Sequence, residues 1–170
     1  MDYCIDIQTV GADLSVDSDS LSPITGRIIG IGVHDGVATH ILVDEDEKAL
    51  LTQFWKLLSA PSFRLIGFNI KKFDIHFLLV RSLVHEVQTV PLSTKHVLDL
   101  REHLTFFQSY MKKGTLVDYA SIVGLTISHS YEVIPTYWSQ KRFDLLKHML
   151  LENVMATYAL FERCKKLRIL

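Results

Sequence analysis

Apolar and polar positions alternate along the first stretch of the chain, MDYCIDIQTVG, and the alternation predicts a β-strand over Tyr3–Thr9. Successive strand side chains point to opposite faces, so Tyr3, Ile5 and Ile7 share one face while Cys4, Asp6 and Gln8 share the other. A Ser-, Asp-, Pro- and Gly-rich segment then predicts a flexible loop over 12–25. Two apolar runs, RIIGIGVH and VATHILV, flank Asp35-Gly36, a strong two-residue hairpin signal. EDEKALLTQFWKLLSA carries acids at its start and apolar residues at helical spacing. FRLIGFN reads as a short strand, IKKFDIHFLLVRSLV returns to a helical period, and KHVLDL reads as a further strand. REHLTFFQSYM and LVDYASIVGL predict helices, the second closed by Gly124, and Ser139–Arg168 reads as one long helix.

Strands separated by helices imply parallel pairing, and the hairpin adds an antiparallel part. The expected architecture is α/β: a mixed five-stranded sheet with helices on both faces, in a single domain over 1–170. About half of the residues are hydrophobic and the net charge is −1, so no general basic field draws the chain to nucleic acid or anionic lipid. Any such binding must come from a local patch. Cys4 and Cys164 lie at opposite ends, without the spacing of a zinc site or a disulfide framework. With no signal-peptide pattern and no apolar run long enough to cross a bilayer, no membrane role is expected and a cytoplasmic, reducing setting is the default (nuclear in a eukaryote).

Three polar features interrupt the apolar pattern. Asp6 and Gln8 sit on a strand expected to be covered on both faces, where an ionised carboxylate is costly unless it is paired or binds a metal. Asn69 ends a strand, and Asp74 opens an otherwise apolar helical run. Asn153 shares a helix face with Met149, Ala156, Thr157 and Leu160, which should pack inward. Taken singly, each has a structural reading: a hydrogen-bonded carboxylate, a helix-dipole acid, a satisfied buried amide. Taken together, they converge on one place, as in a site where two divalent ions clamp a phosphodiester.

At these stretches the chain resembles the DEDD exonuclease superfamily, with its ribonuclease H-like fold. It is most similar to the proofreading-exonuclease-like branch related to family B DNA polymerases. CIDIQTVG matches the first motif, SPITGRIIGIGVH the hairpin strand, and LIGFNIKKFDIHFLL the second motif. LDLREHL, GTLVDYASIVGL and LLENVMATYALFER follow in the family's order. The resemblance implies four carboxylates holding Mg2+ or Mn2+. Asp6 stands at the first and Asp74 at the third, but Gln8 replaces the expected Glu and Asn153 the expected Asp. In the family, the first Asp, the Glu and the last Asp hold the ion that carries the attacking water. Both amides therefore fall on that ion, which leaves weakened or single-ion binding as the expectation. The family's general base is a Tyr four residues before the last acid or a His five before it; Met149 and His148 occupy these positions, so His148 is the candidate base.

The resemblance and the sequence around the second motif also suggest nucleic-acid contacts. Lys71 and Lys72 adjoin that motif and suit a phosphate backbone. Asn69 and Phe73, with Phe68, Tyr137 and Trp138, offer polar and stacking contacts to a single strand. The leading expectation is a catalytically degenerate 3′-5′ exonuclease-like domain that binds single-stranded nucleic acid or serves a replication or repair protein as a subunit. An active metal-dependent exonuclease and a protein-binding scaffold with a vestigial cleft are the alternatives.

Overall fold

In the computed structural model, which describes residues 1–11, 20–58, 62–108 and 114–170, five strands form one sheet. They are β1 (Asp2–Gly11), β2 (Gly26–His34), β3 (Thr39–Val43), β4 (Arg64–Gly67) and β5 (Val97–Asp99), in the order β3-β2-β1-β4-β5. β1 runs antiparallel to β2 and parallel to β4, so the sheet is mixed, as expected. Gly36 turns the β2–β3 hairpin at φ 91°, a region that only glycine enters freely.

The two faces of β1 are covered by different helices. Tyr3, Ile5 and Ile7 pack under α1 (Glu47–Leu57) and α2 (Asp74–Val84), through Leu50, Phe54 and Phe77. Cys4 and Ile66 on the opposite face pack under α6 (Phe143–Lys166), through Val154, Leu160 and Phe161. Asp46 caps α1 by accepting from the Ala49 N–H at 3.1 Å. Trp55 of α1 donates its indole N–H to Ser82 of α2 at 2.8 Å, which fixes the two helices side by side. Burial pushes the Cys4 thiol up to about 12, so this cysteine is a packing group and no nucleophile.

A register shift after Gln8 shapes the centre of the sheet. Gln8 pairs with Gly30 and Thr9 with Ile28, leaving Ile29 as an extra residue in β2. Ile29 packs beside Leu146 and Met149 of α6, while Ile28 stays in the α1/α2 cluster. The Ile28 N–H donates to Glu47 at 2.7 Å, and Arg81 donates to the same carboxylate at 2.7 Å. Burial raises the Glu47 carboxyl, but Arg81, the Ile28 N–H and His85 together outweigh it and hold the group below the usual range.

Two helical expectations are corrected. The predicted helix over Ser139–Arg168 starts later, as α6 (Phe143–Lys166): Ser139 is instead the last residue of a separate α5 (Ile134–Ser139), and Lys141 at φ 54° breaks the ladder between them. The predicted helix from Arg101 is the short α3 (Leu100–Leu104), since Phe106 and Phe107 turn left-handed at φ 48° and 59°. α4 (Leu116–Ile122) closes at Gly124, φ 80°, as the sequence suggests. Most of the predicted 12–25 loop, residues 12–19, lies outside the described residues; Ser22 and Gly26 close a turn at 2.7 Å within its remainder.

Candidate active-site cleft

β1 is longer than its parallel neighbour, and this mismatch opens the site. β4 pairs only with Asp2, Tyr3 and Cys4, so the next residues of β1 have no strand on that side. Asp74, at the start of α2, fills part of the gap: its carboxylate accepts from the Ile7 N–H at 3.2 Å. Asp6 and Gln8 then project from the same strand toward α6.

Glycines set how closely α6 approaches. Asp6 pairs with Gly32 and Gln8 with Gly30, so two residues without side chains lie beside the two polar ones. A Cβ on Gly30 would stand 2.7 Å from Leu150, and one on Gly32 would stand 3.3 Å from the Leu150 carbonyl. The helix therefore rests almost on the strand, and Asn153 reaches across to donate its amide N–H to Asp6 at 2.9 Å. The four expected positions, Asp6, Gln8, Asp74 and Asn153, all line one cleft of about 490 Å3.

Two acids lie close enough in that cleft for one to feel the other's charge. Burial pushes the Asp6 carboxyl up to about 6, against the pull of the Asn153 amide. Burial first, and then the Asp6 charge, holds Asp74 well above the usual carboxylate range, against its backbone N–H partners. Gln8 is only 2% exposed, and neither its amide oxygen nor its amide nitrogen has a hydrogen-bond partner among the described residues.

These residues do not fit a two-ion centre. No group of three or more His, Cys, Asp or Glu side chains is placed to hold a metal ion among the described residues. The Asn153 amide nitrogen, a donor with no lone pair to offer a metal, occupies one Asp6 oxygen instead.

The other candidates divide. Asn69 and Phe73 line the cleft. Asn69 takes φ 65°, held there by its N–H on Asp99 at 3.0 Å, and its side-chain oxygen accepts from Arg101 at 3.1 Å. Lys71 does not face the cleft: its ammonium pairs with Glu102 at 2.7 Å. Lys72 is exposed and outside the described lining. His148 is also absent from that lining; five residues of helix turn it about 140° from Asn153, and it points outward to Glu152 at 3.3 Å. Tyr137 and Trp138 pack against the Leu146 and Met149 cluster, with Arg27 over the Trp138 ring at 5.6 Å.

Three features of the site escape the sequence reading. Asp99, 1% exposed, accepts from the N–H groups of Asn69, Lys71 and Arg101 and so fixes the turn that carries Asn69. Its signal was present, an Asp just before a helix in LDLREHL, where it caps α3. Tyr131 and Glu132 form part of the cleft wall, from a 3-10 turn (Tyr131–Val133) that local pattern does not announce. Thr9 donates to the Ser20 carbonyl at 2.5 Å, next to Leu21, which also lines the cleft.

Known proteins resemble the chain in sequence and in fold. A family model described as a predicted 3′-5′ exonuclease related to the exonuclease domain of PolB matches residues 32–96. An uncharacterised protein of Methanocaldococcus jannaschii is 35% identical over 140 residues, 76% of this chain and 76% of that protein. The family B DNA polymerase of the hyperthermophilic archaeon Pyrobaculum calidifontis matches the fold with a TM-score of 0.72 at 18% identity, over 99% of this chain. The chain spans 25% of that polymerase's length, and the match supports the ribonuclease H-like reading of the sheet. The chain belongs to one family with the archaeal protein, and within it residues 32–96, which carry the second motif, match the predicted 3′-5′ exonucleases related to the exonuclease domain of PolB.

Proposed function

We propose that the chain is an exonuclease-like domain that no longer hydrolyses nucleic acid and serves as a non-catalytic subunit of a DNA replication or repair assembly. The observation that carries this reading is the hydrogen bond from Asn153 to Asp6. In a two-ion nuclease these two positions share a metal, and the metal offsets the repulsion between two carboxylates. Here an amide donor satisfies the carboxylate directly, and a neutral Gln8 adds no charge. The loss falls on the centre that would activate water. His148, turned toward Glu152, supplies no base in its stead.

The test is degradation of a 5′-labelled single-stranded DNA in Mg2+ and in Mn2+, by the unmodified protein and by the Gln8→Glu/Asn153→Asp variant. We expect no measurable shortening by the unmodified protein and a gain of at least about 100-fold on restoring both acids, the scale on which removing a catalytic group acts. Degradation at equal rates by both proteins would sink the non-catalytic reading.

A further inference from the structure

The sheet ends on one side at β3, which pairs with β2 alone among the described residues. The hairpin fixes which backbone groups of β3 face outward. The Asp35 N–H donates to the Ala38 carbonyl at 3.1 Å at the turn, and the Asp44 N–H donates to the Ile29 carbonyl at 3.4 Å at the far end. Bonded pairs alternate along an antiparallel ladder, so His40 and Leu42 face β2. Thr39, Ile41 and Val43 then turn their N–H and carbonyl groups away from the sheet. Natural sheets blunt such edges with Lys, Pro or a bulge. THILV holds no Lys and no Pro, and its register with β2 runs without a shift. The opposite edge, β5, is three residues long and runs straight into α3.

The outward set is symmetric about Ile41. A second copy laid antiparallel, with Ile41 opposite Ile41, closes a bonded pair there and pairs Thr39 with Val43 on each side. No outward group of the strand is left over. The side chains at these positions lie on the α6 face, where Ile41 packs by Val154 and Met155 and Val43 by Leu146. Self-pairing therefore sets Ile41 against Ile41 and Thr39 against Val43, β-branched pairs that suit a sheet. Leu151, 40% exposed, lies one helical turn before Met155, which takes the Thr39 hydroxyl at 3.8 Å, and it lengthens the apolar strip.

Charge agrees with the same register. The acids Asp44, Glu45 and Asp46 of one copy fall beside Ala38, Val37 and Gly36 of the other, so no acid meets an acid along the paired length. Asp35, at the hairpin tip, turns its carboxylate onto the Val37 and Ala38 N–H groups of its own turn.

We propose that β3 joins two copies of this chain, antiparallel about a two-fold axis at Ile41, into one continuous sheet. A second copy is favoured over a strand of a different protein because pattern, hydrogen bonding and charge all close on themselves in one register. The interface is short, which sets a dissociation constant on the order of 100 μM.

The experiment is sedimentation equilibrium of the whole chain from about 20 to about 500 μM, with amide hydrogen exchange measured at both ends of that range. The average mass should rise from one chain toward two and stop there. Exchange at Thr39, Ile41 and Val43 should slow about threefold at the higher concentration, as mass action at that constant requires. His40 and Leu42, already bonded to β2, should change less. Thr39→Pro removes one outward donor at the first residue of the strand, where proline is tolerated, and should weaken the dimer at least about tenfold. Circular dichroism reports whether that variant folds; if it does not, exchange in the unmodified protein decides alone.

A chain that stays monomeric at about 500 μM overturns the proposal and leaves the edge to a strand of another protein. Slowed exchange at Val97–Asp99 in place of β3, growth beyond two copies, or equal dimerisation of a folded Thr39→Pro also overturns it.

Discussion

At the scale of residues, burial decides how the two acids behave. It raises both carboxyls, and the Asn153 amide on Asp6 offsets only part of the effect there. Asp74 carries the clearest consequence. Its folded pKa is raised, so the folded protein holds that proton more tightly than the unfolded chain does. The ionised group therefore destabilises the fold at neutral pH, and the penalty fades as the pH falls through the raised value toward that of an ordinary aspartate. Asp74→Asn keeps an oxygen for the Ile7 N–H and removes the charge. It should raise the melting temperature at pH 7.5, by about 2–4 °C for each kcal/mol recovered, and the difference should vanish near pH 4. Thermal melts across that range would check it; an unchanged or lower melting temperature at pH 7.5 would contradict the burial argument. Asp6, Asp74, Gln8 and Asn153 were all legible in the sequence, because strand alternation and helix periodicity fix which face each occupies. Their direct contacts were not, since alternation says nothing of how near two elements lie. His148 shows the limit of spacing alone: a five-residue offset suited a catalytic base, but helix phase turned it to Glu152.

What brings the contacts about lies at the scale of elements. α6 can lie close to the sheet because Gly30 and Gly32 face it from β2. Gly30 is the sharper case, since an added Cβ meets Leu150 at 2.7 Å and the Leu42 carbonyl at 3.3 Å, and Leu150 is fully buried. Gly30→Ala should cost about 1–3 kcal/mol, the usual penalty of overpacking, and urea unfolding would measure it. A neutral effect would mean that α6 has room to shift and that its approach to Asp6 is soft. The strands, the hairpin and the first two helices followed their patterns because each buries a continuous apolar face, as Ile5 and Phe54 illustrate. The ends of α3 and the start of α6 did not, because Phe106, Phe107 and Lys141 adopt left-handed backbone that their side chains do not favour. Tertiary packing, absent from local periodicity, sets those breaks. The same reason hides the cleft wall at Tyr131 and Glu132.

For the whole molecule, the ribonuclease H-like sheet and the match of residues 32–96 to a predicted PolB-related exonuclease model set the scaffold, and fold alone carries no activity. No helix among the described residues is long and apolar enough to cross a membrane. The cleft is a shaped surface with acids, amides and aromatic rings, in which the Asn153 amide donates to Asp6. The proposal that this cleft no longer holds two ions stands or falls on metal binding. Calorimetric titration of Mn2+ into the unmodified protein and into Gln8→Glu/Asn153→Asp tests it most directly. The unmodified protein should take up no more than one ion, with a dissociation constant above about 1 mM, and the restored variant two ions at least about tenfold more tightly. Uptake of two ions by the unmodified protein, at the affinity of the restored one, would contradict it.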